Sequence, residues 1–583
     1  MILEALCRHY ETLLREEKAV KRGWSYAKVS AALRLDRGGN LIGVLPLKAG
    51  EGGGKKKRMR VPERTTRTVK IMPMYLCDTS SYFLGVDDKG KPERSKKCFL
   101  ASAELHQKQL ESCNSPAAVA IRNFFAKWKP EEAEANEVFR EHRDEIVTPG
   151  NLLFWVEDRF AQEDEEIVRA WEADCMKESD SPEGLCLVTG RRAPIARLHP
   201  MFREVRGAQS SGAALISFNT DKVSFSSYGK DGEQGLNAYV SEEAAFAYGA
   251  ALSYLLNDDA HRKFIGDMTV VYWAENQNEA CQDIFSGFGF DDGNEMTQED
   301  LDGILQALRD GCSIVYGGQE IPYDNDFYIL GLSPNAARIS VRFFYRSSFG
   351  EILSRVRRHH ERMAIVQPGD KDRVSVPLWR LLLATVSPKS KEKSASPLMA
   401  GTTLRAILTD SSYPPSLYQN VMRRIKAEQD DKDARPPRYK ITPARVAIIK
   451  AYLMKNKGRQ ITVALDENNE NTAYVLGRIF SVWEQIQEAA NPGLNSTIKD
   501  RYFNAACATP TAVFSKLQIL SNHHLRKLEP GREVYFEKKL TELMSKLDGE
   551  APLPKTLSLD EQGMFILGYY HQTQKRYEKK EEK

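Results

Sequence analysis

The sequence predicts an α+β multidomain fold, an N-terminal α/β body followed by a C-terminal α-helical bundle, on three observations. At 583 residues the chain is several times the length of one ordinary domain. Up to residue 386, short β-branched and aromatic runs such as MTVVYWA and DFYILGL alternate with helical periodicity. Beyond residue 400 helical periodicity dominates almost to the end. The predicted divisions are 1–130, an α+β region with a basic loop; 131–386, a central α/β region; 387–400, a linker written SPKSKEKSASP over 387–397; and 401–583, a helical domain. Its last part, 454–583, is long enough to bury a small core alone.

In chain order, MILEALCRHYETLL places apolar Ile2, Leu3, Leu6, Leu13 and Leu14 among charges, the pattern of an amphipathic helix rather than a signal peptide. Residues 68–100 read as strand, turn and strand, with Asp87-Asp88-Lys89-Gly90 as the hairpin tip and a helix starting near Ala101. KPEEAEANEVFREHRDEI (129–146) reads as a solvated helix. AALISFN and MTVVYWA are strand-like, and SEEAAFAYGAALSYLL is a helix capped by Ser241. Asp326–Met363 reads as two strands and a basic helix. In the last part, Val475, Leu476, Ile479, Phe480, Val482, Trp483 and Ile486 line one face of a helix that Asn491-Pro492-Gly493 ends, and Ser558-x-x-Glu561 is a capping box.

Composition is that of an ordinary globular chain, 42% hydrophobic and 28% charged, and no run approaches the ~18 apolar residues of a membrane span. The nine cysteines are scattered without a CxxC pair, which suits a reducing cytoplasm. Cys175, Cys186 and His199 invite a zinc reading but lack a close-spaced fourth ligand. Net charge is +3, yet it is segregated: about +11 over residues 1–100, about −25 over 131–330 and about +16 over 331–460. Two basic regions around an acidic middle suit a protein that meets a polyanion.

The sharpest basic stretch is GEGGGKKKRMRVPERTTR, Gly50–Arg67. Between positions 55 and 70 stand Lys55, Lys56, Lys57, Arg58, Arg60, Arg64, Arg67 and Lys70 against the single acid Glu63. Three glycines precede the run and Pro62 opposes a helix, so the expectation is a mobile basic loop that neutralises phosphates and reaches a groove. A solubilising insertion is the bland alternative.

Catalytic patterns are missing. The sequence has no H-E-x-x-H, no G-x-S-x-G and no complete P-loop; Gly85–Lys91 fits G-x-x-x-x-G-K, but Pro92 follows where a Mg²⁺-binding hydroxyl belongs. His359-His360 and His523-His524 sit beside arginines on expected helices, where surface or phosphate contact is the expected role. Asp291, Asp292, Glu295, Glu299 and Asp300 cluster without regular ligand spacing and read as a solvated loop; a Mg²⁺-dependent nuclease built on them is the enzymatic alternative. No cofactor is called for. Binding is favoured over chemistry, with a generic nucleic-acid binder as a third reading.

Four segments carry a family signature: CLVTGRRAPIARLHPMFREVRGAQSSGAALISFN (186–219), SFSSYGKDGEQGLNAYVSEEAAFAYGAALSYLL (224–256), LGLSPNAARISVRFF (330–344) and AILTDSSYPPSLYQNVMRRI (406–425). Together they resemble the large subunit of the type I-C CRISPR surveillance complex, Cascade. The resemblance implies a non-catalytic, cytoplasmic subunit at one end of a crRNA-bearing ribonucleoprotein. Such a subunit recognises the protospacer-adjacent motif (PAM) in double-stranded DNA, helps open the duplex and stabilise the R-loop, and supports recruitment of a nuclease-helicase. Guide pairing reads the sequence, so the protein needs only a short duplex reader, a wedge and basic channels.

On that resemblance the implied partners are crRNA, target duplex, the backbone and crRNA 5′-end subunits, the nuclease-helicase, and a small subunit made from this chain's own C-terminal region by internal initiation, with Met454 as the candidate start. The basic segment Gly52–Lys70 then grips PAM-proximal duplex. The polar loop at Gln234, Gly235 and Asn237 is a second candidate for base contact, with a structural turn as its equal alternative, and Gln209 and Asn219 are weaker candidates. The helices at Arg355, Arg357 and Arg358, and at Arg423 and Arg424, would line a channel for target or displaced strand.

Overall fold

The structure, a computed structural model, describes residues 1–49, 55–64, 70–87, 90–147, 150–175, 181–218, 234–276, 279–287, 303–304, 306–308, 310, 312–367, 378–391, 395–431, 433–547, 549 and 553–577. They fall into two compact units, Met1–Pro200 with Ile216–Tyr254, and Met201–Leu215 with Leu255–Lys583.

The first unit opens with the amphipathic helix expected, α1 (Ile2–Arg15), which buries Ala5, Leu6, His9, Tyr10 and Leu13. Its sheet is built on β1 (Trp24–Leu35), with order β3-β4-β1-β5-β6 and β2 also on β1. β2 (Leu41–Pro46) pairs antiparallel with Ala31–Leu35 and β4 (Lys55–Pro62) with Trp24–Val29, so the two share one edge end to end. β5 (Asn151–Val156) pairs parallel with β1, while β3 (Lys48–Ala49) and β6 (Arg159–Phe160) extend the flanks. Apolar residues of β1 and β5 pack against α2 (Pro92–Gln109) and α3 (Pro116–Lys127) around an aromatic cluster of Phe83, Phe99, Phe124, Phe125 and Phe154. His106 lies inside this cluster; its Nε2 accepts from Leu76 N at 3.0 Å and its Nδ1 lies 2.7 Å from Ser102 O. Burial pushes its pKa down to about 4, so the ring is neutral.

Two local expectations fail here. Residues 70–100 contain no strand among the described residues: a single helical turn at Ser80–Phe83 precedes α2, which begins at Pro92, nine residues before Ala101. Proline at the first helical position costs no hydrogen bond, so a helix begins at Pro92 where the second strand was expected; positions 88 and 89 of the expected hairpin tip lie outside the described residues. The segment 130–146 is not one helix but a 3₁₀ turn (Pro130–Ala135) and two short helices, Glu137–Glu141 and Arg143–Ile146. Asn136 restarts the chain by capping Phe139 N at 3.0 Å. Further on, α4 (Glu165–Cys175), the hairpin of β7 (Glu183–Leu185) and β8 (Arg192–Pro194), and α5 (Glu242–Asn257) follow; Ser241 caps α5 through Ala244 N at 3.2 Å.

In the second unit a sheet of order β11-β12-β15-β16-β10-β9 supports the helices. β12 (Met268–Ala274), β15 (Asp326–Asn335) and β16 (Arg338–Ser348) form its antiparallel centre, where the strand patterns placed them. β11 (Arg262–Ile265) lies at one side; β9 (Met201–Phe202) and β10 (Ala213–Ala214) lie at the other, so among its described residues AALISFN contributes only the first two as strand. β13 (Ile314–Tyr316) and β14 (Gln319–Ile321) form a separate hairpin. Besides a short helix at Glu279–Gly287, the described helices include α6 (Phe349–Met363), α7 (Leu378–Leu383), α8 (Pro397–Thr409), α9 (Pro415–Ala427), α10 (Pro443–Lys457), α11 (Thr472–Ala490), α12 (Ile498–Ala508), α13 (Pro510–Leu525), α14 (Pro530–Met544) and α15 (Leu559–Gln574). They share one core with the sheet.

The stripe expected on α11 is wider than one face: every residue from Ala473 to Ile486 is buried, because this is the central helix of the bundle. It crosses α15 at two glycines. A Cβ at Gly477 would lie 2.0 Å from Phe565 O, and one at Gly568 would lie 2.0 Å from Tyr474 O. The capping box at Ser558 and Glu561 is formed and opens α15.

Candidate nucleic-acid interface

The basic run is a strand, not a mobile loop, over Lys55–Pro62. Its register on β1 pairs Tyr26 with Arg60, Ala27 with Met59, Lys28 with Arg58 and Val29 with Lys57. Side chains alternate across a strand. Met59 and Val61 therefore turn into a small core with Ala27, Val29, Leu47, Cys77 and Leu153. Arg58 and Arg60 turn to the opposite, exposed face with Tyr26 and Lys28. Burying Met59 and Val61 is what orders the run, worth roughly 1.5–3 kcal/mol for each fully buried side chain. The glycines ahead of it at 52–54, and positions 65–69 with Arg67 among them, lie outside the described residues.

The exposed face has the chemistry of a phosphate-binding surface with aromatic support. The Arg58 guanidinium lies 4.6 Å from the Tyr26 ring centroid and that of Arg60 lies 4.1 Å from the Trp24 ring. Each ring holds a guanidinium in place, with a stabilisation of about 0.5–1 kcal/mol at an exposed site. Arg60 also approaches Glu172 at 3.9 Å, the carboxylate that accepts from Trp24 Nε1 at 3.2 Å, so its charge is partly offset. Lys57 and Lys70 are exposed, whereas Arg64 turns inward and places Nε 3.0 Å from Met74 Sδ. Lys55 and Lys56 lie in the strand at the register of Ala49 and Lys48. Trp24, Tyr26 and Lys28 are the residues that sequence reasoning missed. The signal was present: Met59 and Val61 alternate with Arg58 and Arg60, and WSYAKVSA alternates in the same way.

The other sequence candidates are placed differently. Gln209 closes a turn, its Nε2 donating to Gly212 O at 3.1 Å and its own carbonyl accepting from Gly212 N at 2.8 Å. Gln234, Gly235 and Asn237 form a 3₁₀ turn, and Asn219 lies outside the described residues.

The arginines of α6 are held by partners within the second unit. Arg355 donates to Glu351 at 3.2 Å and Arg357 to Glu361 at 2.9 Å. Arg358, Arg362 and Lys455 converge on Asp410 at 3.2, 2.5 and 3.0 Å. Burial alone would raise the pKa of Asp410, but hydrogen bonds from Lys455 and Arg362 outweigh it and hold the carboxyl below the usual range. Arg423 donates to Asn420 at 2.7 Å, and Arg424 lies 3.7 Å from Glu428.

The histidine pairs divide. His359 and His360 are not surface groups: both are buried, and His359 Nδ1 lies 2.7 Å from Tyr413 OH. The face of α6 that carries them packs into the core, which pushes the His359 pKa well down. His523 is exposed, and His524 Nδ1 lies 3.1 Å from Asn491 Nδ2.

The metal and nucleotide patterns weighed in the sequence have structural occupations. Cys186 Sγ accepts from Ser241 N at 3.2 Å, His199 Nδ1 lies 2.8 Å from Tyr248 OH, and Cys175 packs against Gly23. Among the described residues no three His, Cys, Asp or Glu side chains are grouped to hold a metal ion. The acidic positions at 291–300 lie outside them. After Gly85, the Asp87 carboxylate accepts from Lys91 N at 3.3 Å and from Ser95 Oγ, filling with its own charge the place at the start of α2 that a phosphate would need.

Residues 6–577 match the family of CRISPR-associated proteins designated Cas_Csd1. The chain belongs to this family. The match leaves out only the first five and last six residues, so it spans nearly all of both units of this Cas_Csd1 protein. Among curated proteins none matches the chain. Among the described residues no helix is long and apolar enough to cross a membrane.

Proposed function

We propose that this Cas_Csd1 protein is the non-catalytic large subunit of a type I-C Cascade. In this role it recognises the PAM in double-stranded DNA, promotes duplex opening, stabilises the R-loop and supports recruitment of the nuclease-helicase. The observation that carries the reading is the exposed face of β4 and β1, where Arg58, Arg60 and Lys28 stand beside Tyr26 on a rigid sheet within a CRISPR-associated chain. Arginines fixed by rings lose little further freedom on meeting phosphates, and their forks suit both phosphate oxygens and guanine edges. The Gln234–Asn237 turn remains the candidate for a base-edge contact.

Purified chain should bind duplex DNA with a salt dependence set by these groups. For Arg58→Ala with Arg60→Ala, the slope of log affinity against log salt should flatten by up to about 1.8, two contacts at about 0.9 each. An unchanged slope removes β4 from the interface. Cleavage of DNA by the chain in Mg²⁺, abolished by Asp291→Ala with Asp292→Ala, would favour the nuclease reading instead.

The proposal keeps Met454 as an internal start. It lies in the final turn of α10, so a product beginning there would retain the helices α11–α15 and lose most of α10. Met454→Leu should remove a shorter product of expression while the full chain persists.

A further inference from the structure

A cleft of about 810 Å³ opens in the second unit among α7, the end of α9, the connection 428–442 and the start of α10. Its size is that of a small-ligand site, roughly 300–1,000 Å³. Its floor is fixed by a buried ion pair: Arg445, 5% exposed, grips Glu428 at 2.7 and 3.0 Å, and Arg445 Nε donates to Ala384 O at 3.0 Å.

The cleft's acids are satisfied from within the protein. Glu428 is held by Arg445, Asp430 by Lys499 at 2.6 Å, and Asp431 Oδ1 accepts from Ala434 N at 3.0 Å. Facing them, Arg380, Lys389 and Arg438 are exposed and have no carboxylate partner among the described residues. The cleft therefore presents an excess of positive charge. Its walls are partly apolar, from Leu383, Ala384 and Ala444, and Tyr439 stands on the rim with 48% of its surface exposed beside Arg438. Cations without a carboxylate partner among the described residues, an accessible ring and apolar walls are what a nucleoside phosphate needs: contacts for the phosphate and a platform for the base.

We infer that this cleft holds a nucleotide of a single-stranded nucleic acid, with Arg380, Lys389 and Arg438 on its phosphates and a base stacked on Tyr439. A double helix keeps its base faces covered, so the ring can be used only by a strand that has left its partner. The inference rests on the nucleic-acid reading proposed above, and it assigns a surface in the second unit, apart from the β4 face of the first.

The test uses the full chain and labelled dT12, with anisotropy read across a salt series. The triple variant Arg380→Ala, Lys389→Ala, Arg438→Ala should flatten the salt slope by up to about 2, at ~0.7 for each single-strand contact. Tyr439→Ala should weaken dT12 binding by about 5- to 150-fold, the effect of losing one stacked base, and Tyr439→Phe should restore it. Duplex binding should be unchanged in all of these, whereas Arg58→Ala with Arg60→Ala should do the reverse. Loss of duplex binding alone would thus count against the β4 face and not against the cleft. Since every substituted side chain is exposed, a melting scan matching wild type establishes that the variants fold. A triple variant that binds dT12 with wild-type affinity and slope overturns the inference. Displacement of dT12 by free dTMP at comparable concentration would also overturn it, since the cleft would then be a mononucleotide site; the single-strand assignment expects dTMP to need at least about 100-fold more.

Discussion

Replacing Gly568 with alanine should loosen the C-terminal bundle, although a glycine in mid-helix is ordinarily improved by the same change. In an exposed helix the alanine gains about 1 kcal/mol through reduced backbone entropy in the unfolded chain. Here the added Cβ would lie 2.0 Å from Tyr474 O, a backbone atom that cannot swing aside. Restoring a 3.0 Å separation requires α11 and α15 to part by about 1 Å. A gap of that size forfeits a quarter to a half of the dispersion energy of the contacts it opens. Between these helices those contacts include the rings of Phe480, Phe565 and Tyr569. Overpacking strain of about 1–3 kcal/mol adds to that loss. The net expectation is a destabilisation of about 2–4 kcal/mol. Native-state hydrogen exchange on the full chain reads this locally: amide protection in α15 should fall by about 30- to 1,000-fold. Protection that is unchanged or increased would refute the close crossing. Gly477→Ala should behave alike, and the two effects should not add, because they open the same contact.

Two further substitutions test the structural roles of Asp410 and His106. Asp410→Asn should destabilise the second unit by about 3 kcal/mol, since Arg358, Arg362 and Lys455 lose their common partner, while duplex affinity stays at wild-type level; a fall in duplex affinity with unchanged melting would return the α6 arginines to the interface. His106 makes the first unit acid-sensitive. Its pKa is 6.5 in the open chain and about 4 when folded, so its neutral form contributes fully above pH 6.5 and the contribution is lost as pH falls toward 4. About 2–3 kcal/mol should be gone at pH 4.5. Exchange protection of β5 amides, corrected for intrinsic rates, should drop between pH 6.5 and 4.5 in wild type and much less in His106→Gln.

How far the sequence reveals the molecule depends on how local the determining physics is. The strands at Met268–Ala274 and Asp326–Ser348, α1, the Ser558 cap and the end of α11 follow from periodicity and capping chemistry within a few residues. The burial of α11 on all sides depends on which helices surround it, and that is set by partners far along the chain. The basic run was legible as charge and misread as a loop. Glycines and a proline on its borders are loop signals, but Met59 and Val61 have a buried surface to join only because β1 lies alongside. The same distance effect hid the fate of the other arginines: Arg358 meets Asp410 across 52 positions of sequence, a pairing that local charge patterning does not capture.

The measurement that tests the central claim most directly is PAM discrimination by the complex reconstituted with crRNA and this subunit. Affinity for a target duplex carrying the PAM is compared with affinity for one in which the PAM is scrambled, for wild type and for Arg58→Ala with Arg60→Ala. The account predicts a clear preference in wild type that shrinks, together with overall affinity, in the variant. Equal affinity of the wild-type complex for the two duplexes would contradict PAM reading by this chain and leave it a sequence-blind binder of nucleic acid.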